Sequence, residues 1–108
     1  MMLNKDNYKS LLKGMSVIEV SGESCANCLS LMPILHNIMK SYPDVTLHHL
    51  EVDENTLPIC EEFEVVAVPS ILIMKDDQVF ARCRGFQPEE ILEIWMEAKI
   101  DELRMEFK

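Results

Sequence analysis

The chain has 108 residues, 48% of them apolar, and only three glycines, which is enough apolar matter for one compact core and too little flexibility for a disordered chain. Nineteen acids against ten bases give a formal charge of −9; nucleic acid and anionic membrane surfaces, which need a basic footprint, are disfavoured as partners. No apolar run approaches the ~18 residues of a membrane span, and Met1-Met2-Leu3-Asn4-Lys5-Asp6 is no signal-peptide core, so the expectation is a single domain over 1–108 in the cytoplasm.

The first expected element is a short amphipathic helix over Asn4 to Lys13, with Leu3, Tyr8, Leu11 and Leu12 on its apolar side and Gly14 as its stop. A β-branched run from about Met15 to Ser21 reads as a strand. Leu29, Met32, Leu35, Ile38 and Met39 recur at helical spacing, so a helix runs from near Cys25 to about Ser41. Pro33 interrupts it and predicts a kink. Thr46 to Val52 is the next strand, alternating Leu47, His49 and Glu51 against His48, Leu50 and Val52. A short helix over Leu57–Phe63, capped by Thr56 or Asn55, precedes a strongly apolar strand, Ser70 to Met74. Lys75-Asp76-Asp77-Gln78 turns the chain into a returning strand, Val79 to Arg84, which Gly85 ends. Pro88 with Glu89 and Glu90 opens a last helix that extends toward Lys108. This order predicts an α/β fold, a mixed four-stranded sheet with helices on both faces. Most of the eight methionines are expected as core filler, Met74, Met96 and Met105 among them.

Cys25-Ala26-Asn27-Cys28 lies between the first strand and the second helix. The unpaired amides and the dipole of that helix favour a thiolate at its start. Cys25 is therefore the candidate nucleophile and Cys28, one turn inside, the candidate resolving thiol. In a reducing compartment four cysteines point to redox chemistry or metal ligation rather than a structural disulfide framework. Zinc wants four ligands, and Cys60 or Cys83 plus a histidine could complete a set. The gaps of 31 and 22 intervening residues from Cys28 to Cys60 and on to Cys83 match no zinc ribbon or finger. No metal site is expected.

With these landmarks in place, the chain resembles the thioredoxin family from about Asn4 onward. A Cys-x-x-C motif beside a strand-helix-strand pattern is its signature. Pro33, eight residues after Cys25, stands where the family's active-site helix carries a proline. Val52-Asp53-Glu54 is similar to the family's strand-end Val-Asp-x, and Val68-Pro69-Ser70 to its Val/Ile-Pro-Thr, whose proline is cis. Gly85, sixteen residues after Pro69, matches the family's glycine. The sequence also departs from the pattern. Ser24-Cys25-Ala26-Asn27-Cys28 replaces Trp-Cys-Gly-Pro-Cys, the only tryptophan is Trp95, and the first strand of typical thioredoxins is absent because only a helix fits before Met15.

The resemblance implies a thioredoxin-like fold and a thiol-disulfide oxidoreductase that reduces protein disulfides and serves electron transport and cell redox homeostasis. Its dithiol is itself the carrier, so no bound cofactor is needed. Disulfide-containing proteins would be its substrates, and a flavin-dependent thioredoxin reductase, or low-molecular-weight thiols, its electron donor. Glu19 occupies the place of the family's buried acid beneath the resolving thiol. An ionised carboxyl is costly in the run Val17-Ile18-Glu19-Val20, which makes Glu19 a candidate proton acceptor for Cys28 through water. His49 aligns with a lysine that accompanies that acid. Val68 and Pro69 would offer a backbone edge to an extended substrate, with Gly85 on the same rim. Cys60 and Cys83 read as packing residues, an exposed Cys60 being a candidate for a regulatory disulfide. The alternative is a thioredoxin-fold adaptor whose cysteine pair senses redox state without efficient turnover.

Overall fold

The computed structural model describes residues 1–107. Along them run α1 (Tyr8–Leu11), β1 (Met15–Gly22), α2 (Ala26–Met39), β2 (Thr46–Val52), α3 (Leu57–Glu62), β3 (Ser70–Lys75), β4 (Gln78–Arg84) and α4 (Glu89–Met105). The described residues form a four-stranded sheet ordered β2-β1-β3-β4. β1 pairs parallel with β2 and antiparallel with β3, and β3 pairs antiparallel with β4. The expected α/β architecture, a mixed sheet with helices on both faces, is the observed one.

Alternation along the two central strands splits the core in two. Val17, Ile71 and Ile73 face Leu31, Leu35 and Ile38 of α2 and Leu92, Met96, Ile100 and Leu103 of α4. Ile18, Val20, Leu72 and Met74 face the opposite side, with Leu12, Ile59, Cys60 and Phe63. Both strands are buried on both faces, which is why they read as nearly continuous apolar runs. Glu19 falls in the set of Val17, on the α2 side. The β1–β2 register sets it opposite His49.

Four details differ from the sequence expectation. The first helix shrinks from Asn4–Lys13 to Tyr8–Leu11. Asn4 Oδ1 accepts hydrogen bonds from the Asp6 and Asn7 amides, at 2.8 and 2.9 Å, a local turn that competes with helix. Before it the chain is extended: Leu3 N–H donates to the His49 carbonyl and His49 N–H to the Met1 carbonyl, so a single parallel bridge at Met2 stands at the outer edge of β2. Thr56 is the N-cap of α3 but lends it no side-chain bond; its hydroxyl donates to the Glu51 carbonyl, and Asp53 Oδ1 takes the Asn55 and Thr56 amides. Met105 is 68% exposed rather than core, because it lies two residues past Leu103 and off the stripe of Leu92, Met96, Ile100 and Leu103. The last helix ends at Met105, with Glu106 and Phe107 in a turn, so it stops short of the expected extension toward Lys108, itself outside the described residues.

Candidate functional site

β1 ends at Gly22, and Ser24, held in the left-handed region at φ 56°, turns the chain into α2. Cys25 is the N-cap of that helix, with extended backbone, and its Sγ accepts a hydrogen bond from the Cys28 amide at 3.2 Å. A sulfur thus stands where a serine or aspartate oxygen commonly caps. The fourteen-residue helix directs its first amides and positive dipole end at that sulfur, which favours negative charge on it. Cys25 and Cys28 are joined in a disulfide, with Cα atoms 5.2 Å apart. Cys28 is buried and Cys25 is half-buried. Cys25 is therefore the sulfur that a large partner can reach.

The pair opens onto a cleft of about 540 Å³ whose walls include Gly22, Ser24, Leu29, Met32, His36 and His49. On α2, Cys25, Cys28, Leu29, Met32 and His36 follow the three- and four-residue spacing of one helix face. Leu29 is 72% exposed, an apolar side chain presented to solvent beside the cysteines. Glu19 lies beneath, 3% exposed. His49 Nδ1 stands 2.7 Å and His36 Nε2 3.8 Å from Glu19 Oε1. These are close carboxylate–imidazole contacts rather than aligned hydrogen bonds, since among the described residues neither Glu19 oxygen has a donor in hydrogen-bond geometry.

Val68, Pro69 and Gly85 gather at the same end of the sheet. The antiparallel register pairs Val20 with Ser70 and Ser70 with Arg84, so the residues just beyond these ends are neighbours of the cysteine loop. The Val68–Pro69 bond is cis, Pro69 is buried, and Val68 is 39% exposed. Gly85, at φ 83°, donates its amide to the Pro69 carbonyl at 2.7 Å; only glycine adopts that backbone without strain. Gly22 meets Val68 so closely that an added Cβ would lie 3.1 Å from Val68 Cγ2.

Cys60 and Cys83 are not drawn to the pair. Cys60 is buried in the core beneath α3, so it is not the exposed thiol a regulatory disulfide would use, and Cys83 packs against the core on the other side of the sheet. Burial pushes both thiols up from their usual range, keeping them protonated and unreactive near neutrality. Sequence reasoning overlooked Gly22 and His36. The signal for His36 was present, since it continues the helical spacing from Cys25 through Met32. Nothing in the sequence marked Gly22, because a close approach between two segments is a tertiary fact.

A family model for thioredoxin matches residues 1–98. The chain is 32% identical to a thioredoxin of Chlamydia pneumoniae over 92 residues, which cover 84% of this chain and 89% of that protein. It is 28% identical to the oxidized form of mitochondrial thioredoxin 3 from Saccharomyces cerevisiae, with a TM-score of 0.78 over 91% of this chain and 93% of that one. A crystal structure of a ferredoxin:thioredoxin reductase and thioredoxin f2 complex contains a chain of the same fold, with a TM-score of 0.81 and 20% identity over 91% and 92% of the two chains. No helix among the described residues is long and apolar enough to cross a membrane.

Proposed function

The chain belongs to the thioredoxin family of thiol-disulfide oxidoreductases, and from that premise we propose that it reduces disulfides in protein substrates through Cys25 and Cys28. The observation that carries this reading is the placement of Cys25: half-exposed, at the start of α2, bonded to a buried partner one turn inside. In the dithiol form the Cys25 thiolate attacks one sulfur of a substrate disulfide. A mixed disulfide forms and the first substrate thiolate leaves. Glu19 takes the proton of Cys28 through a water molecule, and the Cys28 thiolate attacks Cys25 Sγ. The second substrate thiolate leaves, and the Cys25–Cys28 disulfide remains. Two electrons have passed to the substrate, and a reductase or small thiol must return them.

Burial supports the assignment of Glu19. Its carboxyl is 3% exposed beneath the pair, a place where an ionised carboxylate is poorly solvated. Val68, Pro69 and Gly85 would receive an extended substrate segment along their backbone, with Leu29 as an apolar contact. The departures from Trp-Cys-Gly-Pro-Cys favour a restricted set of protein partners over a general reductant. A thioredoxin reductase of the flavin-dependent class is the proposed donor, and cell redox homeostasis in the cytoplasm the proposed role.

The test is catalytic reduction of insulin with dithiothreitol as the terminal donor. Wild type should turn over many times, Cys25→Ser should lose all exchange, and Cys28→Ser should stall as a mixed disulfide. Retained activity in Cys25→Ser would remove it as the nucleophile. A wild type that forms the internal disulfide reversibly yet never turns over would instead be a redox-sensing adaptor.

A further inference from the structure

Glu19, His36 and His49 come from β1, α2 and β2, yet one ligand atom from each lies within 4.8 Å of the others. The parallel register sets Glu19 beside His49, and α2 carries His36 over the same face. Ligand atoms about 2.0–2.2 Å from a tetrahedral zinc stand roughly 3.3 Å apart. The two separations from Glu19 Oε1, 2.7 and 3.8 Å, straddle that edge length. Shifts of about half an ångström would equalise them, and His36, the most exposed of the three, has the freedom to make one.

The second observation is electrostatic. Glu19 is buried, and among the described residues both its carboxylate oxygens lack an aligned donor. A buried anion with unsatisfied acceptors is compensated by a cation more fully than by imidazoles that meet it off-axis. Two imidazoles and one carboxylate suit zinc and its first-row neighbours, whereas magnesium and calcium prefer all-oxygen shells. His36 and His49 also line the cleft, which leaves a coordination position toward exchangeable solvent. The redox cycle proposed above has no need of His36.

We propose that Glu19, His36 and His49 form a three-ligand site for a divalent transition-metal ion of the zinc class. The ligand set contains no cysteine, so it persists when Cys25 and Cys28 are oxidised. Binding does not depend on the redox reading. One consequence does: a metal on Glu19 withdraws the proposed proton acceptor of Cys28, so the occupied protein exchanges disulfides more slowly.

The experiment uses the full chain, stripped with EDTA and held oxidised so that the paired sulfurs cannot bind metal. Calorimetric titration with zinc chloride should give one equivalent. His36→Ala, which removes an exposed side chain, should bind at least about tenfold more weakly, the scale on which even outer partners of metal ligands are felt. Cys83→Ser should bind as wild type does. Cobalt(II) should give visible ligand-field bands without a sulfur-to-cobalt charge-transfer band. Sub-stoichiometric zinc, equal affinity in His36→Ala, or a sulfur-to-cobalt band would each overturn the proposal. Inactivity of the stripped, zinc-free protein toward insulin, with zinc binding intact in the titration, would reject the redox reading alone.

Discussion

Glu19 is the residue at which stability and chemistry should separate. Its carboxylate is 3% exposed in the middle of β1, and its charge contacts are two imidazoles, one of them 45% exposed. An ion of this kind costs several kcal/mol to desolvate even after relaxation. Its attraction to His49 at 2.7 Å offsets that only while the imidazole is charged, and each poorly satisfied buried oxygen costs about 1–3 kcal/mol. Replacing a buried ionic group by a well-packed apolar one of similar volume is often stabilising by about 1–4 kcal/mol. The loss of their partner is softened because His36 and His49 are 45% and 27% exposed and reach solvent. Glu19→Leu in metal-free protein should therefore be more stable than wild type by about 1–2 kcal/mol; for a domain of this size each kcal/mol is roughly 4–8 °C in Tm. Glu19→Gln, which keeps the shape but cannot accept a proton, should slow the resolving step by about 10²-fold, the lower end for a positioned acid–base group. Attack by Cys25 should be little changed. Calorimetry gives the first number, and rapid-quench capture of the mixed disulfide gives the second. A Tm several degrees below wild type in Glu19→Leu would refute the desolvation argument. A wild-type resolving rate in Glu19→Gln would remove Glu19 from the mechanism.

Three further outcomes are expected. Gly22→Ala places a methyl 3.1 Å from Val68 Cγ2; stability should fall by about 1 kcal/mol, the low end for overpacking, and KM for insulin should rise while the reduction potential of the pair holds. The Tyr8 hydroxyl donates to Glu62 at 2.7 Å, and that bond, with burial and the Glu62 charge, pushes its pKa up to about 12. The unfolded phenol loses its proton near pH 10, so the stability wild type holds over Tyr8→Phe is complete below pH 10 and shrinks toward pH 12, as urea melts of both proteins will show. In reduced native protein at pH 7.5, iodoacetamide should label Cys25 long before Cys60, which is buried with its thiol pushed up; peptide mass spectrometry reads the order, and equal rates would mean that the α3 core opens freely.

Most of this fold was legible because its signals are local and periodic. β2 begins and ends where its sequence pattern does, at Thr46 and Val52, and the hairpin turn falls at Asp76 and Asp77 between two apolar runs. The N-terminal segment was misjudged for an equally physical reason. Its apolar spacing suits a helix, but Asn4 and Asn7 exchange side-chain bonds with nearby amides, and Met2 gains a place beside β2 that no local pattern announces. At the site, Cys25 and Cys28 were legible from spacing, and Glu19 from the family resemblance together with one acid in an apolar strand. That His49 accompanies that acid was implied by the resemblance alone, and that His36 joins them could not be read from its helical spacing, because the meeting depends on strand register and on the face α2 presents to the sheet.

The site follows from the places where those periodicities are broken. Alternation in β1 demands an apolar residue at 19 on the face that carries Val17, and a glutamate is there instead. Register then carries the exception sideways, since position 49 of β2 must share the face of position 19. The helical repeat carries it across to α2, where the cleft-facing stripe ends in His36. A leucine at 19 would leave both imidazoles beside an ordinary apolar wall, and the cysteine pair above without its proposed proton acceptor. The polar residues at 19, 36 and 49 therefore form one unit, to be varied together. If the effects of Glu19→Leu and His49→Leu on the resolving rate simply add in the double variant, the two are independent neighbours and the coupling is absent; acting as one unit, they should lose far less together than the sum of the single losses.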